Sequence, residues 1–596
     1  MTRSAILAGS LPSHLMAGRR AGRAWLLADA AWRLGPRACA LYAWHRLRLR
    51  AGLARQALEG AAWPDGRALP EAVPMGSAGP ARAVALARQA EGLVAEGWHG
   101  PFDAYVHALD LDLFAPGDIR PVWERNRLLA LPLLALAARC DPAGGHLARA
   151  EALFADWRAA NRPFLGPAWA CGQEAALRAL HLCLALALLE ADRAPSKAMR
   201  AVLAAHAQRI AATRAYAAAQ DNNHAVSEPA ALFVLGLVLG DAALVRRGAR
   251  GLARAVARLV AADGAFAQAS PGYHRLLLDT LAIAEWFRRR HAAPEFPAPF
   301  AARARAATLW LHRVAAPGGA LPRAGAGDDS ALGDLSLGGP LDARGSLERA
   351  ARLFCEASAG RRDDPGCAAL GLACPEALLR GTDAWRSEGW MGESRGALRV
   401  LLRSGAPLRF RPAQADLLHI DLWHGDDAVL RDGGTGAYNP PPGCAWWTEA
   451  LAATAAHNTI EFDGASQMPR LSRFLYARWP RCRAVPGGAA LRDASGRRHE
   501  RRFRLEEARL TVEDRIAGPF ARAVLRWRLA PGAWRVAQDG AESAGLRVAV
   551  SADAPCRIRL AQGWESPAYG VVAPAPVLEC VVAAPASRLV TVVELR

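Results

Sequence analysis

Up to about residue 382, apolar residues recur at three- and four-residue spacing, the period of helices that bury one face. This spacing predicts helices over 120–139, 145–159, 171–190, 196–219, 226–239, 242–261, 273–290 and 301–314. In 171–190, for example, Ala176, Leu177, Leu180, Cys183, Leu184 and Ala187 fall on one face. Short Gly, Pro and Asp turns between such segments imply stacked antiparallel helical hairpins. From about Glu388 the period drops to two, as at 398–403, 503–505, 510–514 and 524–529, which predicts antiparallel sheets packed as a β-sandwich. A Gly/Asp/Ser-rich stretch, 317–340, lies between the halves, and a loop of that length in a compact protein is often functional or disordered. The expected organisation is α+β and multidomain: a helical extension over residues 1–80, a helical domain over 81–385 and a β-domain over 386–596. A groove between the last two would suit an extended ligand.

The composition narrows the class. Of 596 residues, 52% are hydrophobic and 22% charged, enough apolar material for a large core and too much for a disordered chain. No apolar run reaches the roughly 18 residues of a membrane span. The net charge is +18, but Lys197 is the only lysine among 74 basic residues, and the arginines are spread along the whole chain. A nucleic-acid protein would concentrate them in a stripe with aromatic platforms, so no nucleic-acid partner is expected. A polyanion such as an acidic polysaccharide fits a basic cleft, with Arg178, Arg275 and Arg323 expected to face it. The eleven cysteines contain no C-x-x-C pair and read as small hydrophobes. Residues 1–50 carry Arg19, Arg20 and Arg23 ahead of short apolar stretches without a clean export signal. A cytoplasmic location is the default expectation, with a periplasmic one open, and a basic amphipathic helix here would suit a membrane surface.

Three segments carry candidate chemistry. Asp221-Asn222-Asn223-His224 precedes an apolar helix, and Ser270-Pro271-Gly272-Tyr273-His274-Arg275 opens another; both also read as helix caps. In the β-half, polar groups recur at Gln414, Asp416, His419 and Asp421, at Asp432-Gly433-Gly434-Thr435, and at His457-Asn458-Thr459. Asp221 with Glu228, or Asp328 with Asp329, would be the carboxylate pair of a glycoside hydrolase.

With Asp118-Ile119-Arg120-Pro121-Val122-Trp123-Glu124-Arg125-Asn126-Arg127 and the Glu174 and Arg178 pair, these blocks in this order resemble the heparinase II/III-like polysaccharide lyases, relatives of alginate and oligoalginate lyases. The resemblance spans most of the chain from about Asp118. It implies an N-terminal incomplete (α/α) toroid followed by a C-terminal antiparallel β-sandwich. The reaction it implies is β-elimination on a uronate-containing acidic polysaccharide in the cleft between them. It assigns Asn223 to neutralising the uronate carboxylate and His224 and Tyr273 to acid–base work, with Arg275 lowering the tyrosine pKa. Asn222, Trp123, Glu124, Arg178, Gln268, Arg275 and Gln414 become substrate-binding residues. It also implies a zinc ion in the β-domain, with Asp432 and His457 at two ligand positions. This sequence departs from the family there: Pro412 and Gln414 replace two histidines, Asp416 keeps its place, and strand alternation turns His419 away from Asp416. That departure leaves open a catalytically altered, polysaccharide-binding protein of an exopolysaccharide pathway.

Overall fold

A computed structural model describes residues 13–71, 79–94, 97–406 and 414–595, with side chains from residue 22. Pro412 lies outside the described residues, as do the side chains of Arg19 and Arg20. From Ser13 to Ala369 the secondary structure is helical; from Ala384 onward it is dominated by strands.

The expected helices form, with ends set by their caps. Ser196 Oγ accepts the Met199 N–H and opens Lys197–Gln220; Asp241 accepts from Ala243 and Leu244 and opens Ala242–Leu259. Ser270 caps Pro271–Arg290, whose first residue is a proline that loses no hydrogen bond there. All 17 residues of Gly172–Leu188 are buried, so this helix has no wet face and lies inside the helical domain. It packs on His224–Leu239, which packs in turn on Ala242–Leu259 and Pro271–Arg290. Gly236 and Gly248 allow one of these contacts: a Cβ on Gly248 would lie 2.3 Å from the Phe233 nitrogen, and one on Gly236 2.5 Å from the Val245 nitrogen. The expected helix over 120–139 is instead two, Arg120–Asn126 and Ala130–Cys140, because Leu128 takes a left-handed φ of 58° between them.

The β-half consists of antiparallel sheets: a five-stranded meander from Ala384–Ser387 to Asp427–Leu430, then an eight-stranded and a four-stranded sheet. The last two share one apolar core. Trp527, fully buried on the four-stranded sheet, donates its indole N–H to Thr591 Oγ1 of the eight-stranded one at 3.0 Å, fixing the two layers face to face. Helical toroid followed by β-sandwich is therefore the architecture, and neither helix nor strand interrupts the loop between Val314 and Arg344.

Candidate active site

A cavity of about 220 Å³ opens at the seam, walled by the helical domain and by Tyr438, Asn439 and Phe474 of the β-domain. Asn222, Asn223 and His224 reach it from the turn between Lys197–Gln220 and His224–Leu239. Asp221 makes that turn, in a left-handed conformation (φ 45°) held by Arg37 at 3.1 Å and by Arg258 at 2.8 Å. Asn222 Oδ1 accepts the His224 N–H, and Gln268 Oε1 accepts the Asn223 N–H, both at 3.0 Å. Ser227 Oγ donates to the Asn223 carbonyl at 2.9 Å. The backbone of the motif is thus pinned, and the Asn223 amide takes no part in these bonds. His224 Nδ1 lies 3.5 Å from Glu228 Oε1 one turn on, and burial raises the Glu228 pKa.

Tyr273 enters from the first turn of its helix, and its hydroxyl meets that of Tyr438 at 2.9 Å. Burial, reinforced by the Asp328 carboxylate, pushes the Tyr273 phenol well above its usual 10; Arg120 opposes this without prevailing. Tyr438 is raised in the same way. Both phenols therefore carry their protons at neutral pH. Arg120 and Arg127 are neutralised by Glu124, Glu174 and Asp328. Arg209, also lining the cavity and 1% exposed, donates to the Trp169 and Ala170 carbonyls and to Thr213 Oγ1. Among the described residues no carboxylate comes within 4.0 Å of it; burial lowers its pKa, and the more distant Glu228 carboxylate favours its charge.

In the β-domain, His419, Asp432 and His457 bring ligand-type atoms within 4.8 Å of one another. His457 Nδ1 lies 2.7 Å from Asp432 Oδ2; His419 Nε2 lies 3.5 Å from the same oxygen and 3.4 Å from Asp421 Oδ1. Burial opposes ionisation of Asp432, yet the two imidazoles hold its carboxyl well below the usual range. A zinc ion would need a lone pair on His419 Nε2. The peptide N–H of Asn458 donates to His419 Nδ1 at 2.9 Å, which places the ring proton on Nε2, aimed at Asp421 and Asp432. His419 Nε2 faces the two carboxylates without a hydrogen-bond partner, and with its proton on that nitrogen the cluster does not fit a metal held through it.

Residues 379–594 match the family model described as Heparinase II/III-like, C-terminal. The C-terminal domain is heparinase II/III-like. A structure titled heparinase III aligns at 13% identity over 92% of this chain and 91% of its own, with a TM-score of 0.60. A heparinase III with methylated lysines aligns at 15% identity over 94% and 91%, with a TM-score of 0.58. The heparan sulfate lyase HepC from Pedobacter heparinus aligns at 17% identity over 94% and 88%, with a TM-score of 0.53. These likenesses extend the shared fold through the helical half. Comparison with curated proteins finds no match.

Placed on the heparinase II/III-like fold, the expected site residues divide. Asn222, Asn223, His224, Tyr273 and Trp123 line one cavity, and Trp123 is oriented by its indole bond to the Pro167 carbonyl at 3.0 Å. Gln268 stands behind Asn223, and Glu124 is held by Arg120 and Arg127. Arg178 is not at the cleft: fully buried, it stacks between Trp157 and Trp169 and bonds His206 Nε2 and the Asn126 and Ala168 carbonyls. Glu174 pairs with Arg127 instead. Arg275 points away from the Tyr273 hydroxyl to Ser346 and the Gly339 and Pro340 carbonyls, because residues two apart on a helix face differently. Arg275 and Arg323 line a second cavity of about 260 Å³ across the 317–340 loop, where Arg323 is paired with Asp329. Gln414 spends both ends of its amide on protein, accepting from Ala326 N–H at 2.9 Å and donating to the Gly434 carbonyl at 2.8 Å.

Neither expected hydrolase pair converges. Asp221 is tied to Arg37 and Arg258, and Asp328 and Asp329 face different cavities. Asp416 lies by Arg403 at 3.7 Å. His419, which alternation set aside, joins the Asp432–His457 cluster because Leu418 takes a left-handed φ of 63° and the strand begins only at Ile420. Sequence reasoning gave no role to Tyr438 or Arg209. Tyr438 follows the Asp432 block by six residues without a motif of its own, whereas Arg209 left a signal: it shares the buried face of an Ala-rich helix with Val202, His206 and Thr213.

Proposed function

We propose that the protein is a polysaccharide lyase that cleaves a uronate-containing acidic polysaccharide by β-elimination in the seam cavity. The observation that carries this reading is the meeting of Asn223, His224 and Tyr273 in one cavity. Removing the proton at C5 of a uronate builds negative charge beside a carboxylate that is already negative. Neutralising that carboxylate is the dominant demand, and the Asn223 amide and the Arg209 cation supply a donor and a positive charge. His224, with Glu228 beside Nδ1, takes the C5 proton. The C5–H electrons form the C4=C5 double bond, the C4–O4 bond breaks, and Tyr273 delivers its proton to O4. A phenol pushed above 10 suits an acid, and Tyr438, hydrogen-bonded to it, restores the proton. No step passes through a metal.

The test is incubation of the pure protein with a panel of uronate polysaccharides, followed by ultraviolet absorbance of the unsaturated product. New absorbance that disappears in His224→Ala and in Tyr273→Phe supports the reading. Binding without unsaturated product on every polymer leaves a polysaccharide-binding protein in its place, and cleavage without absorbance indicates a hydrolase.

A further inference from the structure

The helix Ser13–Arg50 turns an apolar, aromatic side away from the protein. Its inner face is short-chained: Ala30, Ala38 and His45 are buried, and the helix packs on Lys197–Gln220, where His45 stacks on Tyr216 at 4.9 Å. At about 100° per residue, Trp25, Ala28 and Trp32 stand opposite Ala30. Past the break at Gly35 (φ 82°), Ala40, Ala43, Trp44 and Leu47 stand opposite Ala38 and His45. Trp32 is 86% exposed, Trp25 60%, Leu47 56% and Trp44 52%. Arg46 and Arg50 border the second part of this stripe on one side, Arg37 and Arg48 on the other. Asp29 is the one acid between residues 13 and 50, and Arg33 pairs with it at 2.7 Å.

We infer that this face docks the protein on the surface of a bilayer containing anionic phospholipid. Indole rings favour the boundary between headgroups and acyl chains, and Arg46 and Arg50 on one flank reach the phosphates around it, while Arg37 and Arg48 on the other are held by Asp221 and the Ala212 carbonyl. The helix lies on the membrane and does not cross it, since no helix among the described residues is long and apolar enough to span. A second copy fits the face poorly: a two-fold contact through this stripe would set flanking arginines against arginines. The inference is independent of the proposed reaction. It bears on it in one way, because His45 and Leu49 of the same helix line the seam cavity, so docking would hold the cavity near the headgroups.

The experiment is co-sedimentation of the full-length protein with vesicles of phosphatidylcholine alone and of phosphatidylcholine with phosphatidylglycerol. The expected result is partition to the anionic vesicles only, weakened by salt, with at least about a tenfold loss in the triple variant Trp25→Ser, Trp32→Ser, Trp44→Ser. All three positions are exposed, so the variant should keep the wild-type circular dichroism. The pair Arg46→Gln, Arg50→Gln should weaken anionic partition while every indole stays in place. Equal partition of wild type and triple variant overturns the inference. So does a wild-type dimer that ignores vesicles and dissociates in the triple variant, which would make the stripe a self-interface.

Discussion

The hydroxyls of Tyr273 and Tyr438 meet at 2.9 Å across the seam, one carried by a helix of the toroid and the other by the β-domain. The pair exists only when the two domains are apposed. In the proposed reaction Tyr273 is the group that loses a proton and Tyr438 its nearest source of another.

Tyr273→Phe should therefore lower kcat by about 10²–10⁴, the usual contribution of a positioned acid. Tyr438→Phe should lower kcat by less, about tenfold, with KM unchanged, because the acid remains but its resupply slows. Steady-state kinetics on the first active polysaccharide reads both, and a Tyr438→Phe effect confined to KM would assign that residue to binding alone.

Arg209→Gln should raise KM by about tenfold or more and remove discrimination between a uronate substrate and its neutral methyl ester. The comparison is made on wild type first: equal use of acid and ester would show that the cavity does not read the carboxylate through a cation. Thermal melting of the variant separates loss of the bonds to Trp169, Ala170 and Thr213 from loss of binding.

Stability of the β-domain should fall in acid through Asp514. Burial opposes its ionisation, but Arg501, with Nε at 2.6 Å, and His499 hold its pKa at about 2, against about 3.9 in an unfolded chain. A depressed carboxyl contributes stability that is complete above the unfolded value and lost as pH falls from about 4 toward 2. Asp514→Asn should cost about 3–5 kcal/mol at neutral pH, since it leaves Arg501 buried without its partner, and should flatten the acid limb of a melting-temperature profile.

Chelator and added zinc should leave the melting temperature unchanged, because His419 presents a proton rather than a lone pair to the Asp432 cluster. Metal analysis of the purified protein checks this. Stoichiometric zinc whose removal lowers the melting temperature would mean that His419 turns its ring on binding.

Fold class was legible because the change from a 3.6 to a 2.0 period is a property of the chain itself. What escaped was local and tertiary. Apolar spacing ran straight through Leu128 and Leu418, whose left-handed conformations break a helix at one place and delay a strand at the other. The Asn222-Asn223-His224 and Tyr273 segments could be picked out as helix starts, yet nothing in their spacing says that both starts face one cavity. Arg275 could have been set aside on periodicity alone, being two positions from Tyr273. Arg178 could not, since an arginine on a helix with no wet face looks the same in sequence whether it lines a cleft or lies between two tryptophans.

Among the described residues, hydrogen bonds rather than ion pairs fasten the seam, Tyr569 giving its N–H to Asp329 and its hydroxyl to Asp118. Asn439 donates to the Phe114 and Gly117 carbonyls at 2.7 and 2.6 Å, Thr435 Oγ1 accepts the Gly327 N–H at 2.8 Å, and Gln414 holds Ala326. Dissolved ions screen long-range attraction between exposed charges over about 10 Å at 0.1 M, but they have little hold on short hydrogen bonds. Ionic strength should then act as a throttle on how often a polyanion arrives while leaving the rate of each committed turnover alone, so that brine slows capture without loosening the jaws.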